Sequence, residues 1–374
     1  FNTEYIFDTT AEEDTATAKL RQRLETEDAA RQDAALVALF AMYAPLESLG
    51  SAASIAQQHE TGPLAGLVGQ QITAQAELQK LREGVTALTE ISGGVSSDVR
   101  GQYEEFPYPR WVSYSKQVAD EETEGGLRGR KAKILVAGCG TGREAIQLAA
   151  ALPDSTVLGV DLSRSSLSYA QRRANDEKIS NVEFRQADIL KLEASKGTFD
   201  YVSSSGVLHH MENPLDGWRV LTTLMKPEGL MRIALYSKLA RRHLATAQAA
   251  ALKGNYGRDA AGMRRFRRDT PKLLDRQVVQ DIANRPDYYH LSMYRDLLFH
   301  VQEHCFDIPG IKSALETLGL EFIKFGVTDD TLALFRRRFS ADKEGRSLDN
   351  WHVFEQENPD AFTHMYHFWC RRKA

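Results

Sequence analysis

Apolar residues fall along the chain in two periods, and the change from one to the other divides it. Ala34 to Leu49 (AALVALFAMYAPLESL) and Leu64 to Leu88 carry apolar positions at helical spacing, with a Gly/Ser/His-containing linker between them. They predict an N-terminal helical domain over residues 1–95, preceded by an acidic, polar lead-in (Phe1 to about Asp33) expected to be only partly ordered. From Lys133 the pattern becomes short continuous apolar runs alternating with amphipathic stretches. Ile134 to Ala137 reads as a strand buried on both faces and Val157 to Val160 as a second buried strand, with Val182 to Ala187, Phe199 to Ser205 and Leu230 to Leu235 as the third, fourth and fifth. Helices are expected between them: after Gly142, after Ser163, and over Pro214 to Met225, where KPEG closes the helix. This alternation predicts an α/β fold with a parallel sheet. The strict alternation stops over about 237–300, predicting a helical insertion after the fifth strand. Ile311 to Leu318 is then expected as a helix, Glu321 to Val327 as a sixth strand, Thr331 to Phe339 and Ser347 to Phe362 as helical, and Met365 to Cys370 as a last strand.

Between the two regions lies a connector, residues 96–132. Ser96 to Arg100 fits a short helix. GQYEEFPYPRW (Gly101 to Trp111) alternates prolines with aromatic rings, which predicts an extended segment because proline cannot continue a helix. Two readings stand: a linker whose rings pack on the next domain, or a cover over the crevice, with Arg110 available to a carboxylate and Tyr103 or Tyr108 facing an acceptor. EETEGGLRGRK supplies a charged hinge.

Composition narrows the class. The chain has 374 residues, 42% hydrophobic and 26% charged, enough for two domains with a full core. A formal net charge of −4 argues against general nucleic-acid binding. Cys139, Cys305 and Cys370 contain no CxxC pair, which fits a reducing compartment and a cytoplasmic location. No apolar stretch reaches the roughly 18 residues of a membrane span. The N-terminal residues lack the order of a signal peptide, and a first residue of Phe reads as a processed or trimmed product. The basic cluster Arg264, Arg265, Arg267 and Arg268 reads as a solvated helical face, with a basic lid as the alternative.

The chemistry concentrates in KILVAGCGTG, Lys133 to Gly142. Gly138, Gly140 and Gly142 leave the backbone bare between a strand and a helix N-terminus, a cradle for a nucleotide-type cofactor. A dinucleotide fingerprint needs glycine where Arg143 stands. Asp161, at the end of the second strand, is placed to accept hydrogen bonds from ribose hydroxyls, and Asp188, at the end of the third, to meet the adenine amino group; together they favour S-adenosylmethionine. His209 or His210, just past the fourth strand, stands where a general base would act, the alternative being that one of them is a structural histidine; Tyr236 and Tyr108 are further acceptor-side candidates.

VAGCGTG, Asp161, QADI, FDYVSSSGVLHHMENP and LMKPEG, in this order, resemble the class I S-adenosylmethionine-dependent methyltransferases over roughly Lys133 to Leu235. The resemblance implies a Rossmann-like seven-stranded methyltransferase sheet with an antiparallel last strand, within a domain spanning 133–374. It also implies that Gly138 to Gly142 approach the methionine moiety. The expected cofactor contacts are Tyr103, Arg110, Gly138, Cys139, Gly140, Thr141, Gly142, Asp161, Leu162, Asp188, Ile189 and Gly206, with Cys139 a small spacer rather than a nucleophile. Val136 departs from the pattern, since many members carry an acid there. YEEFPYPRW, DLLFHVQEH and the C-terminal SLDNWHVFEQENPDAFTHMYHFW look like a bacterial subfamily often attached to tetratricopeptide repeats, and distantly like rickettsial protein-lysine methyltransferases. The implied activity is methyl transfer to N or O of a small molecule or protein side chain. The alternative is a non-catalytic S-adenosylmethionine-binding module whose N-terminal helices recruit a protein partner. His300, Glu303 and His304 spell HxxEH, a zinc-peptidase pattern if helical; a helix with its polar face near the substrate mouth is preferred, and no metal is expected.

Overall fold

The computed structural model describes residues 3–25, 33–91, 93–109, 111, 113–114, 126–192, 196–363 and 365–373. The chain divides into two compact units, residues 1–84 with 244–299, and residues 85–243 with 300–374.

The second unit is built on a seven-stranded sheet, in the order β3-β2-β1-β4-β5-β7-β6. Its strands are β1 (Lys133–Ala137), β2 (Thr156–Asp161), β3 (Val182–Gln186), β4 (Phe199–Ser205), β5 (Met225–Tyr236), β6 (Leu320–Phe325) and β7 (Met365–Arg372). β1 to β5 run parallel, while β7 pairs antiparallel with both β5 and β6. The strand order reverses between β1 and β4, and ligands of such sheets bind outside the carboxyl ends at that reversal. Both faces are covered, as the continuous apolar runs require. Ala145, Ile146, Leu148 and Ala149 of the helix Arg143–Ala151 pack with Val136 and Tyr201 on one face. Trp218 and Leu221 of the helix Pro214–Leu224 pack with Val202, Ile233 and Phe368 on the other. The KPEG segment, expected to close a helix, instead forms the start of β5, where Met225 pairs with Phe199.

The helical stretch expected over Leu64 to Leu88 stops at Gly84, and its middle, Gly69–Thr73, winds as a π-helix. Ala87 bridges in parallel to Gln186 of β3; the Leu88 amide donates to the Gln186 carbonyl (2.8 Å) and the Gln186 amide to the Thr86 carbonyl (2.9 Å). These residues cover the carboxyl end of an otherwise open edge strand. The connector is also corrected. A helix, Val95–Glu105, takes in Gly101 to Glu105, and the extended part begins only at Phe106, since the first of the segment's two prolines is Pro107. The first part of the charged hinge, residues 121–125, falls outside the described residues.

The first unit is helical. The acidic lead-in, expected to be partly ordered, holds the helix Ala11–Leu24, whose capping box has Thr10 and Glu13 each accepting from the other's backbone amide. Leu24, Val37, Phe40, Leu46, Ile55 and Val68 form its core with the following helices. The segment after the fifth strand supplies the helices Arg242–Lys253, Ala260–Leu273, Arg276–Ala283 and Leu291–Phe299. Its basic cluster is mostly engaged within the unit. Arg264 Nε donates to the Tyr5 carbonyl (2.7 Å), Arg267 lies over Phe7 (4.4 Å) and Tyr288 (4.6 Å), and Arg268 pairs with Asp8 and Asp269.

Candidate functional site

The carboxyl ends of β1 to β5 gather most of the chemistry expected from the sequence. After β1, Gly138, Gly140 and Gly142 all take positive φ (73°, 51° and 81°), which L-residues with side chains rarely adopt. Space is as restrictive as conformation. A Cβ on Gly138 would lie 2.2 Å from a Val207 methyl, and one on Gly142 would lie 2.5 Å from the Ala170 Cβ. The loop is held by β2, whose Val160 carbonyl accepts from the amides of Gly138 (2.8 Å) and Cys139 (2.9 Å). Cys139 is buried, and burial pushes its thiol well above the ordinary range, in keeping with a spacer.

Asp161 ends β2 beside this loop. One carboxylate oxygen accepts from the Gly140 amide (2.8 Å) and the other from the Ser163 amide (2.9 Å), so the side chain is fixed in orientation. Burial raises its pKa from the usual carboxylate value, against the lowering effect of these amides. Each oxygen retains a lone pair for a further donor. Leu162 follows, its carbonyl accepting from Gln186 Nε2 (2.9 Å). Asp188 is buried just after β3, caps the turn Ile189–Lys191 through the Leu190 amide (3.0 Å), and donates its own amide to Thr89 Oγ1 (2.8 Å). Val136 is buried one residue before the end of β1, in register with Gly159 and Ser203.

The connector lies against the loops. Thr141 Oγ1 donates to the Pro109 carbonyl, and the Trp111 indole N–H donates to the Thr141 carbonyl (3.0 Å). The Tyr108 carbonyl oxygen would be 2.7 Å from a Cβ on Gly140. The Tyr103 and Tyr108 rings stack at 6.5 Å. Arg110, the expected carboxylate partner, lies outside the described residues.

Past β4, Gly206 turns the chain with φ of 76°, and Leu208–His210 form a short 3-10 turn. The structure separates the two histidines. His209 is sealed from solvent, stacks on Tyr236 (3.8 Å) and has no hydrogen-bond partner at either ring nitrogen; burial, with His210 and Arg241 nearby, drives its pKa well below the ordinary value. His210 Nδ1 donates to the Gln302 carbonyl (2.7 Å), and its ring stacks on His300 (3.6 Å). His300 Nδ1 accepts from the Gln302 amide (3.1 Å), which leaves its Nε2–H to face the Tyr103 hydroxyl (3.2 Å). Arg241 lies over the opposite part of this cluster, 3.6 Å from the Tyr236 ring centroid, and pairs with both oxygens of Glu303 (3.0 and 2.7 Å).

The HxxEH expectation is thereby overturned in both of its forms. The helix ends at Phe299, and His300 to His304 follow as irregular chain, so the two histidines share no helical face. Glu303 is committed to Arg241, His300 to Gln302 and Tyr103, and His304 Nε2 lies 2.9 Å from Gln302 Nε2. Two residues of this site escaped the sequence reading. Arg241 was not singled out, and Glu104, which caps the helix Arg164–Asp176, was seen only as part of YEEFPYPRW; a carboxylate three residues before a proline gives no warning that it reaches another helix.

This geometry defines a Rossmann-like methyltransferase fold. Residues 129–282 match the family model of a methyltransferase domain. In sequence, the chain is similar to an uncharacterized protein of Synechococcus (27% identity, over 53% of this chain and 49% of that protein). It is also similar to the ubiquinone biosynthesis O-methyltransferase of Acinetobacter baylyi (34% identity, over 29% of this chain and 44% of that protein). Among solved structures it resembles PKMT2 of Rickettsia typhi in complex with AdoHcy, with 19% identity, a TM-score of 0.54, and coverage of 71% of this chain and 55% of that one. The chain thus spans about half the length, or less, of the sequence relatives named here. Among the described residues, no helix is long and apolar enough to cross a membrane.

Proposed function

We propose that the second unit binds S-adenosylmethionine at the carboxyl ends of β1 to β4 and transfers its methyl group to a nitrogen or oxygen of a small-molecule or protein acceptor. The observation that carries this reading is Asp161, fixed at the end of β2 by the Gly140 and Ser163 amides with lone pairs left for two ribose hydroxyls. The loop Gly138 to Gly142, with Cys139 and Thr141 between its glycines, fits the methionine portion because its three glycines at positive φ carry no side chains of their own beside the backbone amides. Asp188 suits the adenine amino group, with Leu162 and Ile189 beside the ring, and Gly206, Tyr103 and Arg110 complete the proposed contacts.

The bound cofactor supplies an electrophilic methyl on a sulfonium, so the chain's task is alignment, exclusion of water and removal of the acceptor's proton. Of the candidate bases, His210 is favoured over His209, which is sealed within the fold. Tyr236 and Tyr108 flank the acceptor side. The resemblance to rickettsial protein-lysine methyltransferases supports a protein acceptor, and the similarity to an O-methyltransferase supports a small one. A binding module without turnover is the second reading, favoured by Val136 where an acid is usual. Release of S-adenosylhomocysteine on incubation with S-adenosylmethionine and a cell extract excludes it.

Asp161→Ala is expected to weaken S-adenosylhomocysteine binding about 10- to 100-fold, the loss of hydrogen bonds to a charged acceptor worth roughly 1.5–3 kcal/mol. Isothermal titration calorimetry measures it. Equal affinity for the wild type and the variant would remove Asp161 from the site, and no binding to the wild type would remove the cofactor reading.

A further inference from the structure

The segment 95–109 is fastened to two loops that flank the crevice, and its fastenings are of a kind that can part. On the β1 side they are the Thr141 hydroxyl to the Pro109 carbonyl and the close approach of the Tyr108 carbonyl to Gly140. On the β2 side the Glu104 carboxylate sits at the N-terminus of the helix Arg164–Asp176. It accepts from the Arg164 amide (2.7 Å), the Ser165 amide (3.2 Å) and the Ser165 hydroxyl (2.7 Å). Ser163 Oγ adds a bond to the Tyr103 carbonyl (3.0 Å). On a third side, Gln102 Oε1 accepts from the Val301 amide (3.3 Å), and Tyr103 meets His300. One segment therefore touches the loop expected to hold the methionine part, the loop after Asp161, and the histidine cluster.

These ties are polar, and those between neutral groups can be exchanged for water at small net cost. By contrast, the ends of the segment differ in kind. Trp111 is buried in the sheet's helix-covered face, with Tyr169 donating to its carbonyl (2.6 Å) and Arg173 over its ring (4.8 Å). At the other end, Gly94 takes φ of 73° and ψ of −162°, next to Gly93, a backbone that can pivot without side-chain obstruction. The segment is anchored at Trp111 and hinged at Gly93 and Gly94, with Glu104 as the strongest latch, since its bonds are charge-assisted and lie on a helix N-terminus.

We infer that 95–109 is a strap that closes over the crevice and must release Glu104 from the Arg164 and Ser165 amides for cofactor to exchange. Glu104 is a positioning residue: it touches no reacting group and acts through the strap. The inference rests on the proposed cofactor reading, and its kinetics separate it from that reading. A latch that is closed with and without ligand slows entry and exit alike, whereas a direct binding contact slows exit alone.

The test follows radiolabelled S-adenosylhomocysteine by rapid filtration, in the wild type and in Glu104→Ala and Glu104→Gln, with thermal melting to show that each variant is folded. For Glu104→Ala, association and dissociation are both expected to rise about tenfold, with the equilibrium constant changed less than about threefold. Glu104→Gln should fall between, keeping an acceptor but losing the charge. Hydrogen exchange should be faster across 95–109 in Glu104→Ala than in the wild type. Unchanged rates in a folded Glu104→Ala, or a rise in dissociation alone, would overturn the strap while leaving the cofactor site standing. Failure of the wild type to bind S-adenosylhomocysteine would overturn both.

Discussion

Gly140→Arg is expected to abolish detectable S-adenosylhomocysteine binding while leaving the chain folded. Gly140 has φ of 51°, and a Cβ there would sit 2.7 Å from the Tyr108 carbonyl oxygen, so any side chain meets backbone rather than a yielding side-chain tip. A residue held at positive φ costs roughly 1–2 kcal/mol, which a domain stable by about 5–15 kcal/mol survives. The arginine then has two outlets. It displaces the segment carrying Tyr108, or it turns into the crevice and fills the space left bare by the loop. Either outlet also disturbs the Gly140 amide that orients Asp161. Calorimetry should show no heat of binding, and far-ultraviolet circular dichroism should match the wild type. Wild-type affinity in this variant would mean that the glycine loop is not the cofactor's cradle.

Trp351→Ala should produce the largest loss of stability, roughly 3–5 kcal/mol, the usual cost of removing a fully buried large aromatic side chain. Its indole stacks on Phe335 (3.9 Å, 17°) and meets Phe325 and Phe354 edge-on (5.5 and 5.6 Å). Its N–H donates to the Gly345 carbonyl (2.8 Å), which the truncation leaves without that donor. These rings bring the helix Leu348–Glu357 against β6, the strand at the far edge of the sheet. Urea titration followed by circular dichroism measures the effect as a lowered midpoint. A shift equivalent to under 1 kcal/mol would show that neighbouring rings collapse into the space.

The sheet was legible in the sequence because strands buried on both faces leave continuous apolar runs such as ILVA, which solvent cannot satisfy. The antiparallel last strand was anticipated only through family resemblance, as MYHFWC itself carries no mark of direction. What escaped was governed by local polar bonds. The helix Ala11–Leu24 shows little apolar periodicity, yet Thr10 with Glu13 is the spacing of a capping box and was open to inspection. The KPEG segment reads as a turn by residue type, and only its place beside β4 draws it into β5. At the site, the glycines and Asp161 announced themselves because their roles depend on backbone freedom and strand ends. The His209 and His210 pair did not, because which ring is sealed depends on Tyr236, 27 residues from His209, and Gln302, 92 residues from His210. The HxxEH spacing misled because spacing carries geometry only on a helix, and the helix had already ended.

The short stretch from Val85 to Glu90 has a colloidal consequence. By filling hydrogen bonds at Gln186 and Asp188, it denies a foreign strand the template that an uncovered parallel edge offers. A chain cut to begin after residue 90 would keep every strand of the sheet and every glycine of the loop, but would carry that template into solution, where its self-association would grow with protein concentration. A defence against edge-to-edge pairing therefore lies in a few residues that belong to no regular element.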